Sequence, residues 1–322
     1  MNQISSSHNA AATGAIFMLA ASLVFAGSNT LQSILPTPVE YGGVGMSSTG
    51  MAFWQYLIAS ILALPLILRI GLKNLRTAHP LTHEIRALVS AIGVHVFVYG
   101  YASGVPIWQM VTLLATGPLF IIVGSVLFLG EKVSTARISA ALLGFVGAII
   151  ISGVGTEGLG FQALIPISAA ALWAVTDILT KHLSRKGESP ETLTISLLVL
   201  MTPNHLAILL LVNAFAGVLP MGMAPGFPFA LPDGTGLLLL LLLGALTAAA
   251  QYLLAFAYRN ADATYLQPFS DVKVFLGGLV GWIVLNQEPS VWFWPGALMI
   301  VAASAFIFWA EKNGGPTRLA AA

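Results

Sequence analysis

The 322-residue chain has no cysteine, and only 8% of its residues are charged against 57% hydrophobic. Without cysteine there is neither a disulfide framework nor thiolate chemistry, and no compartment is identified by it. The shortage of charge excludes a soluble fold of this size. An ordinary soluble domain carries roughly 25% charged residues, and apolar surface in this excess needs lipid. There is no basic run and no nucleic-acid motif, so no nucleic-acid partner is expected. A nucleophile with its base, a phosphate-cradling glycine loop and a His/Asp/Glu cluster at ligand spacing are also missing. No catalytic residue, metal or cofactor is therefore expected. A passive channel lacks its usual ring of pore charges. The first ten residues hold no Lys or Arg, and the apolar run after them is too long for a signal-peptide core. It reads as a retained membrane helix.

What the chain does have is long apolar stretches. At about 20 residues per crossing, they give ten spans, near 12–35, 49–70, 85–103, 106–129, 135–153, 159–182, 191–218, 236–258, 262–286 and 291–310. The narrow breaks at Ser103–Pro106 and Asn260–Asp262 separate two helices each time. Twelve of the thirteen Lys and Arg residues fall in alternate gaps. Arg69, Lys73, Arg76 and Arg86 lie in one, Lys132 and Arg137 in the next, then Lys181, Arg185 and Lys186, then Arg259, with Lys312 and Arg318 in the tail. The intervening gaps hold Glu40, Glu157, Asp233 and Glu288 but no cation. The positive-inside rule then places both termini in the cytoplasm. Trp282, Trp292, Trp294 and Trp309 fall at span ends, as an interfacial belt requires.

Small residues recur at packing intervals, Ala140, Gly144 and Ala148 in the fifth span and Gly277 and Gly281 in the ninth. The run Leu237–Leu243 is expected to face lipid, and Pro118 and Pro203 to kink their spans. The halves also repeat weakly. Tyr101 precedes Glu131 by 30 residues, as Tyr258 precedes Glu288. The segment VLFLGEKVS at 126–134 answers WIVLNQEPS at 282–290, and SLVFAGSNT at 22–30 answers ALWAVTDIL at 171–179. Five spans per half is an odd number, so the second copy must enter the membrane inverted, and inverted repeats place a substrate site near the midplane.

Ten spans in two five-helix repeats, with an apolar run ending in Leu-Gly-Glu-Lys at 129–132, look like the drug/metabolite transporter superfamily in its EamA-type exporters. The segment HVFVYGYASGVPIWQMVTLLATGPLF at 95–120 looks closest to the YddG-type amino-acid exporters. The second copy departs from the family pattern, with Asn286-Gln287-Glu288-Pro289 where Leu-Gly-Glu-Arg is usual. The resemblance implies an all-α integral membrane fold: ten helices as two inverted repeats, 12–153 and 154–310, around a central cavity. A short cytoplasmic segment, 1–11, precedes them and a tail, 311–322, follows. It further implies export of neutral or aromatic amino acids by alternating access, by a chain expected to act as a monomer.

Lys273 is the thirteenth cation and lies in mid-span. An ammonium there costs at least about 2.5–3.5 kcal/mol to insert. It either meets a substrate carboxylate or pairs structurally with Asp177 or Asp271. Lys273 and Asp271 are two positions apart, about 200° around a helix, so a partner must come mainly from another helix. Trp173, Asp177 and Lys181 share one helix face, and Asp177 either meets cargo or pairs with Lys181 at the helix end. His95 is either an interhelical hydrogen-bonder or a proton switch. Tyr99, Tyr101, Trp108 and Trp173 would serve as walls for a flat or apolar side chain. Asn29, Gln55 and Gln251 are interhelical ties or ligand contacts. The substrate-site candidates are therefore Lys273, Asp177, Trp173, Tyr99, Tyr101, Trp108, His95, Asn29 and Gln251. A small zwitterion fits one intramembrane Lys better than a sugar phosphate does, since phosphate asks for more cationic contacts. Another small cargo (a drug, a nucleoside or a sugar phosphate) is the rival reading.

Overall fold

A computed structural model describes residues 2–37, 39–102, 110, 113–151, 164–215, 231–285 and 291–313, and every regular element among them is helical. The reason is the solvent. A backbone in hydrocarbon must satisfy its own hydrogen bonds, and a helix does so within one segment. The helices are α1 (Asn2–Ile34), α2 (Ser48–Leu62), α3 (Leu64–Ile70), α4 (Pro80–Ala102), α5 (Gly117–Leu129), α6 (Thr135–Ile151), α7 (Leu164–Arg185), α8 (Pro190–Ala214), α9 (Gly234–Asn260), α10 (Ala263–Leu285) and α11 (Phe293–Asn313).

Six segments among the described residues are long and apolar enough to cross a membrane: Ala10–Ile34, Ser48–Ile70, Pro80–Gly100, Leu164–Arg185, Pro190–Ala214 and Gly234–Asn260. α6, α10 and α11 lie along the expected spans 135–153, 262–286 and 291–310, whereas α5 covers only the second half of the expected 106–129. Several boundaries differ from expectation. α1 begins at Asn2, well ahead of residue 12. Pro118 occupies the first turn of α5, just after the turn at Ala115 and Thr116 that parts it from the helical Leu113 and Leu114, so the span is broken there rather than bent within one helix. A proline there loses no helix hydrogen bond, whereas in mid-helix it would clash with the carbonyl four residues back. Pro203 does lie inside α8, and Pro268 lies inside α10.

α1 packs against α9 and α10, and α7 packs against α4 and α5. Likewise α2 packs on α8 and α9, while α8 packs on α2 and α4, and α6 lies along α11. Close approach is set by glycine: a Cβ on Gly147 would stand 2.7 Å from the carbonyl oxygen of Gly296, and one on Gly144 would stand 2.5 Å from Asp271 Oδ2. Ala140 and Ala148 are buried on the same helix, as small-residue packing requires. Gly277 and Gly281 lie outside the residues whose surroundings are described. The leucine run of α9 does not face lipid as a whole. Leu238, Leu241 and Leu242 are exposed, but Leu240 and Leu243 are fully buried, because a helix turning 100° per residue cannot point seven successive side chains one way. Trp282, Trp292, Trp294 and Trp309 are all exposed on the bundle surface.

Candidate functional site

A cavity of ≈ 120 Å³ opens between α1, α2, α4, α7, α9 and α10. Its walls combine three aromatic rings (Phe25, Tyr56 and Trp173) with four side-chain amides, Asn29, Gln32, Gln55 and Gln251. Hydroxyls of Ser28, Ser90, Thr176, Thr247 and Ser270 complete the polar lining, and the charged groups are Asp177 and Lys273. Polar groups converging on a wall that also carries aromatic and apolar side chains suit a small-molecule site.

Five of the expected site residues meet here: Lys273, Asp177, Trp173, Asn29 and Gln251. Lys273 is half-buried, and its Nζ donates to Ser270 Oγ at 3.4 Å, a contact within its own helix. No ion pair joins Lys273 to Asp177 or Asp271 among the described residues. Asp177 accepts a hydrogen bond from the buried hydroxyl of Tyr258. The Asp177–Lys181 pair expected one turn on does not form. Lys181 instead points to the end of α9, where it donates to the carbonyls of Tyr258 at 2.9 Å and Ala261 at 2.5 Å. Those carbonyls have no partner further along their helix, and a cation there also meets the negative end of the dipole.

Three other expectations are displaced. His95 is buried outside the cavity wall. Its Nε2 lies 2.9 Å from Nδ1 of His205, and Tyr56 stacks on the His205 ring at 4.7 Å. The pair ties α4 to α8, which is the interhelical reading of His95. Tyr99 is half-buried near the end of α4 and does not line the cavity. Asp271 is fully buried against Gly144, away from the cavity, and neither of its carboxylate oxygens has a hydrogen-bond partner among the described residues. Trp108 and the side chain of Tyr101 lie outside the described residues, as do Glu157 and the second-copy motif at 286–289.

Trp173 is held from behind. Its ring packs on Phe97 at 5.2 Å, and it passes so near Gly93 that a Cβ there would meet Nε1 at 2.8 Å. Gln55 was an ambiguous amide in the sequence. Here its Nε2 donates to Thr247 Oγ1 at 2.8 Å, linking α2 to α9 across the cavity wall.

Near the end of α9, a charged network joins α5, α6, α7 and α10. Glu131 follows Gly130, whose left-handed φ of 62° ends α5. Its Oε1 accepts from the N–H of Ala263 at 3.2 Å; its Oε2 accepts from the N–H and hydroxyl of Thr264 at 3.1 and 2.8 Å. A carboxylate over the first turn of α10 satisfies orphan donors and suits the positive end of the dipole. Arg185 pairs with Glu131 at 3.0 Å and Asp262 at 3.5 Å, and Arg137 with Asp262 at 3.3 Å. Arg137, Lys181 and Arg86 are almost fully buried. They are more than topological charges: each ties helix ends or neighbouring helices, as Arg86 does in donating to Leu193 O, Thr180 Oγ1 and Ser196 Oγ.

The EamA-like transporter family matches residues 12–153 and 161–309. The chain belongs to that family. It is a multi-pass membrane transporter, and relatives of similar length align along nearly all of it. A riboflavin transporter of Rhizobium johnstonii is 41% identical over 92% of this chain and 91% of its own length. A riboflavin transporter of Vibrio cholerae is 37% identical over 93% and 94%. An S-adenosylmethionine uptake transporter of Rickettsia bellii is 26% identical over 91% and 92%. A crystal structure superposes with a TM-score of 0.70 at 17% identity, covering 97% of this chain and 99% of that one, which speaks for the fold alone. None of these relatives is named as an amino-acid exporter, so the expected amino-acid export is not supported by them.

Proposed function

We propose that this protein carries riboflavin, or a closely similar flat heterocycle with a polar tail, across the bacterial inner membrane by alternating access. The observation that carries this reading is the 41% identity, along almost the whole chain, to a protein named as a riboflavin transporter. The cavity agrees with it in chemistry. Trp173, Tyr56 and Phe25 offer faces or edges to a fused ring system, and the amides and hydroxyls match the carbonyls, ring nitrogens and hydroxyls of a flavin and its sugar alcohol. Ten spans in two inverted halves, 12–153 and 154–310, are part of the proposal. Their support is the reciprocal packing, in which α1 on α9 and α10 is answered by α7 on α4 and α5. The basic network around Glu131 would then close the cytoplasmic side, where the Lys and Arg gaps place both termini.

Growth tests this reading. A bacterium that cannot make riboflavin and lacks a carrier of its own should grow on low external riboflavin when it expresses this chain. Failure to grow, with the protein present in the membrane, speaks against riboflavin. A zwitterionic cargo is the second reading. It is favoured by Asp177 and Lys273 facing one cavity, and it would be seen as transport of amino acids or S-adenosylmethionine instead.

A further inference from the structure

Gln55 is 2% exposed, lines the cavity from α2, and has one end of its amide fixed. The fixing can be followed atom by atom. Thr247 has one hydroxyl proton, and it is directed to the carbonyl of Leu243 at 2.8 Å, one turn back in α9. The Thr247 oxygen can therefore only accept from Gln55, at 2.8 Å. The amide group that faces it must be the NH₂. That settles the orientation of the amide and leaves Oε1 as an acceptor with no partner among the described residues. Buried polar atoms are nearly always paired, so a lone, fully buried acceptor on a side chain that lines a ligand cavity calls for a donor.

We propose that Gln55 is a specificity-determining residue that accepts a hydrogen bond from a ring N–H of the cargo. The class of group recognised is an imide or lactam N–H set between carbonyls, such as N3–H of the flavin pyrimidine-dione. This rests on the riboflavin reading and deepens it. The neighbouring lining supplies what an imide edge needs beside its N–H: Gln32, Asn29 and Gln251 carry NH₂ donors for flanking carbonyls. Thr247 is then a positioning residue, holding Gln55 so that the end left unpaired is the acceptor and not the donor. A site built around such a bond rejects the analogue that lacks the donor, because the acceptor is then left buried and unpaired.

The test compares riboflavin with N3-methylriboflavin as competitors of labelled riboflavin uptake into proteoliposomes. The wild-type protein is expected to prefer riboflavin by at least about tenfold. Gln55→Met keeps the bulk of the side chain and removes the acceptor, so the preference should fall to within about twofold, whereas Gln55→Glu should retain it. Thr247→Val, which frees the amide to turn, should reduce it. Equal competition by the two flavins in the wild type overturns the inference while leaving riboflavin transport standing, and it needs no folded variant. A preference undiminished in Gln55→Met overturns it as well, since bulk alone would then be the cause. Absence of any riboflavin uptake overturns both this inference and the reading beneath it.

Discussion

Glu131 closes on Thr264, its Oε2 accepting both the backbone N–H at 3.1 Å and the hydroxyl at 2.8 Å. The two residues are 133 positions apart in the chain, so this contact joins the end of α5 to the start of α10 and anchors the network that, on the proposed reading, closes the cytoplasmic side. Glu131→Gln removes the charge from that cap and from Arg185, at a cost of about 1–3 kcal/mol in the closed arrangement. Because the chain has no cysteine of its own, one introduced at Thr176 is the sole thiol. It should react slowly with a membrane-impermeant maleimide added from the basic side, and markedly faster when Glu131→Gln is added. Equal rates would show that Glu131 does not hold the closure.

Among the described residues, Lys273 faces the cavity with only Ser270 of its own helix as a hydrogen-bond partner. Lys273→Met should therefore leave the thermal midpoint in detergent nearly unchanged while lowering transport by about tenfold or more, the effect of losing one charge-assisted contact. A large drop in thermal stability without any change in the transport of surviving protein would identify a structural ion instead.

Gly93 gives Trp173 its place. In Gly93→Ala the new methyl group would collide with the indole at 2.8–2.9 Å, and the ring is wedged between Phe97 and the cavity. The ring must shift or its helix must move, and overpacking of this kind costs about 1–3 kcal/mol. Cargo affinity should fall and the tryptophan emission should change. An unaltered affinity would exclude Trp173 from the binding wall.

His95 and His205 illustrate what a sequence conceals. The lone membrane histidine at 95 was legible as an interhelical hydrogen-bonder or a switch, but its partner is 110 residues away on α8 and no local pattern joins them. The same holds for the basic residues. Arg86, Arg137 and Lys181 read as charges in loops because they lie at span ends, yet each is drawn inside by carbonyls or hydroxyls of distant helices. Lys273, Asp177, Trp173, Asn29 and Gln251 were legible because a polar or aromatic group in an apolar helix has few places to go, and the cavity is one of them. The helices themselves were legible because lipid leaves the backbone no alternative. The cargo was not. Aromatic rings, amides and one acid with one base serve an amino acid and a flavin equally well, so the pattern of residues in the sequence does not choose between them.

The His95–His205 contact also makes a thermodynamic prediction. Replacing either histidine by Leu leaves the other ring buried with one more unpaired nitrogen, which should cost about 1–3 kcal/mol. The double replacement should cost less than the sum of the two, and a cycle measured by thermal unfolding gives the coupling directly. Transport by the folded fraction should persist, since neither ring lines the cavity. Strict additivity would mean that the 2.9 Å contact contributes nothing.

The central claim is the cargo, and the most direct measurement is uptake of labelled riboflavin by proteoliposomes holding the purified protein. It is run beside labelled S-adenosylmethionine and a panel of aromatic, aliphatic and charged amino acids. Saturable riboflavin uptake, competed by unlabelled riboflavin and untouched by the amino acids, is the predicted result. Saturable movement of an amino acid or of S-adenosylmethionine, with riboflavin left outside, would contradict the account and return the cavity to a zwitterion held between Asp177 and Lys273.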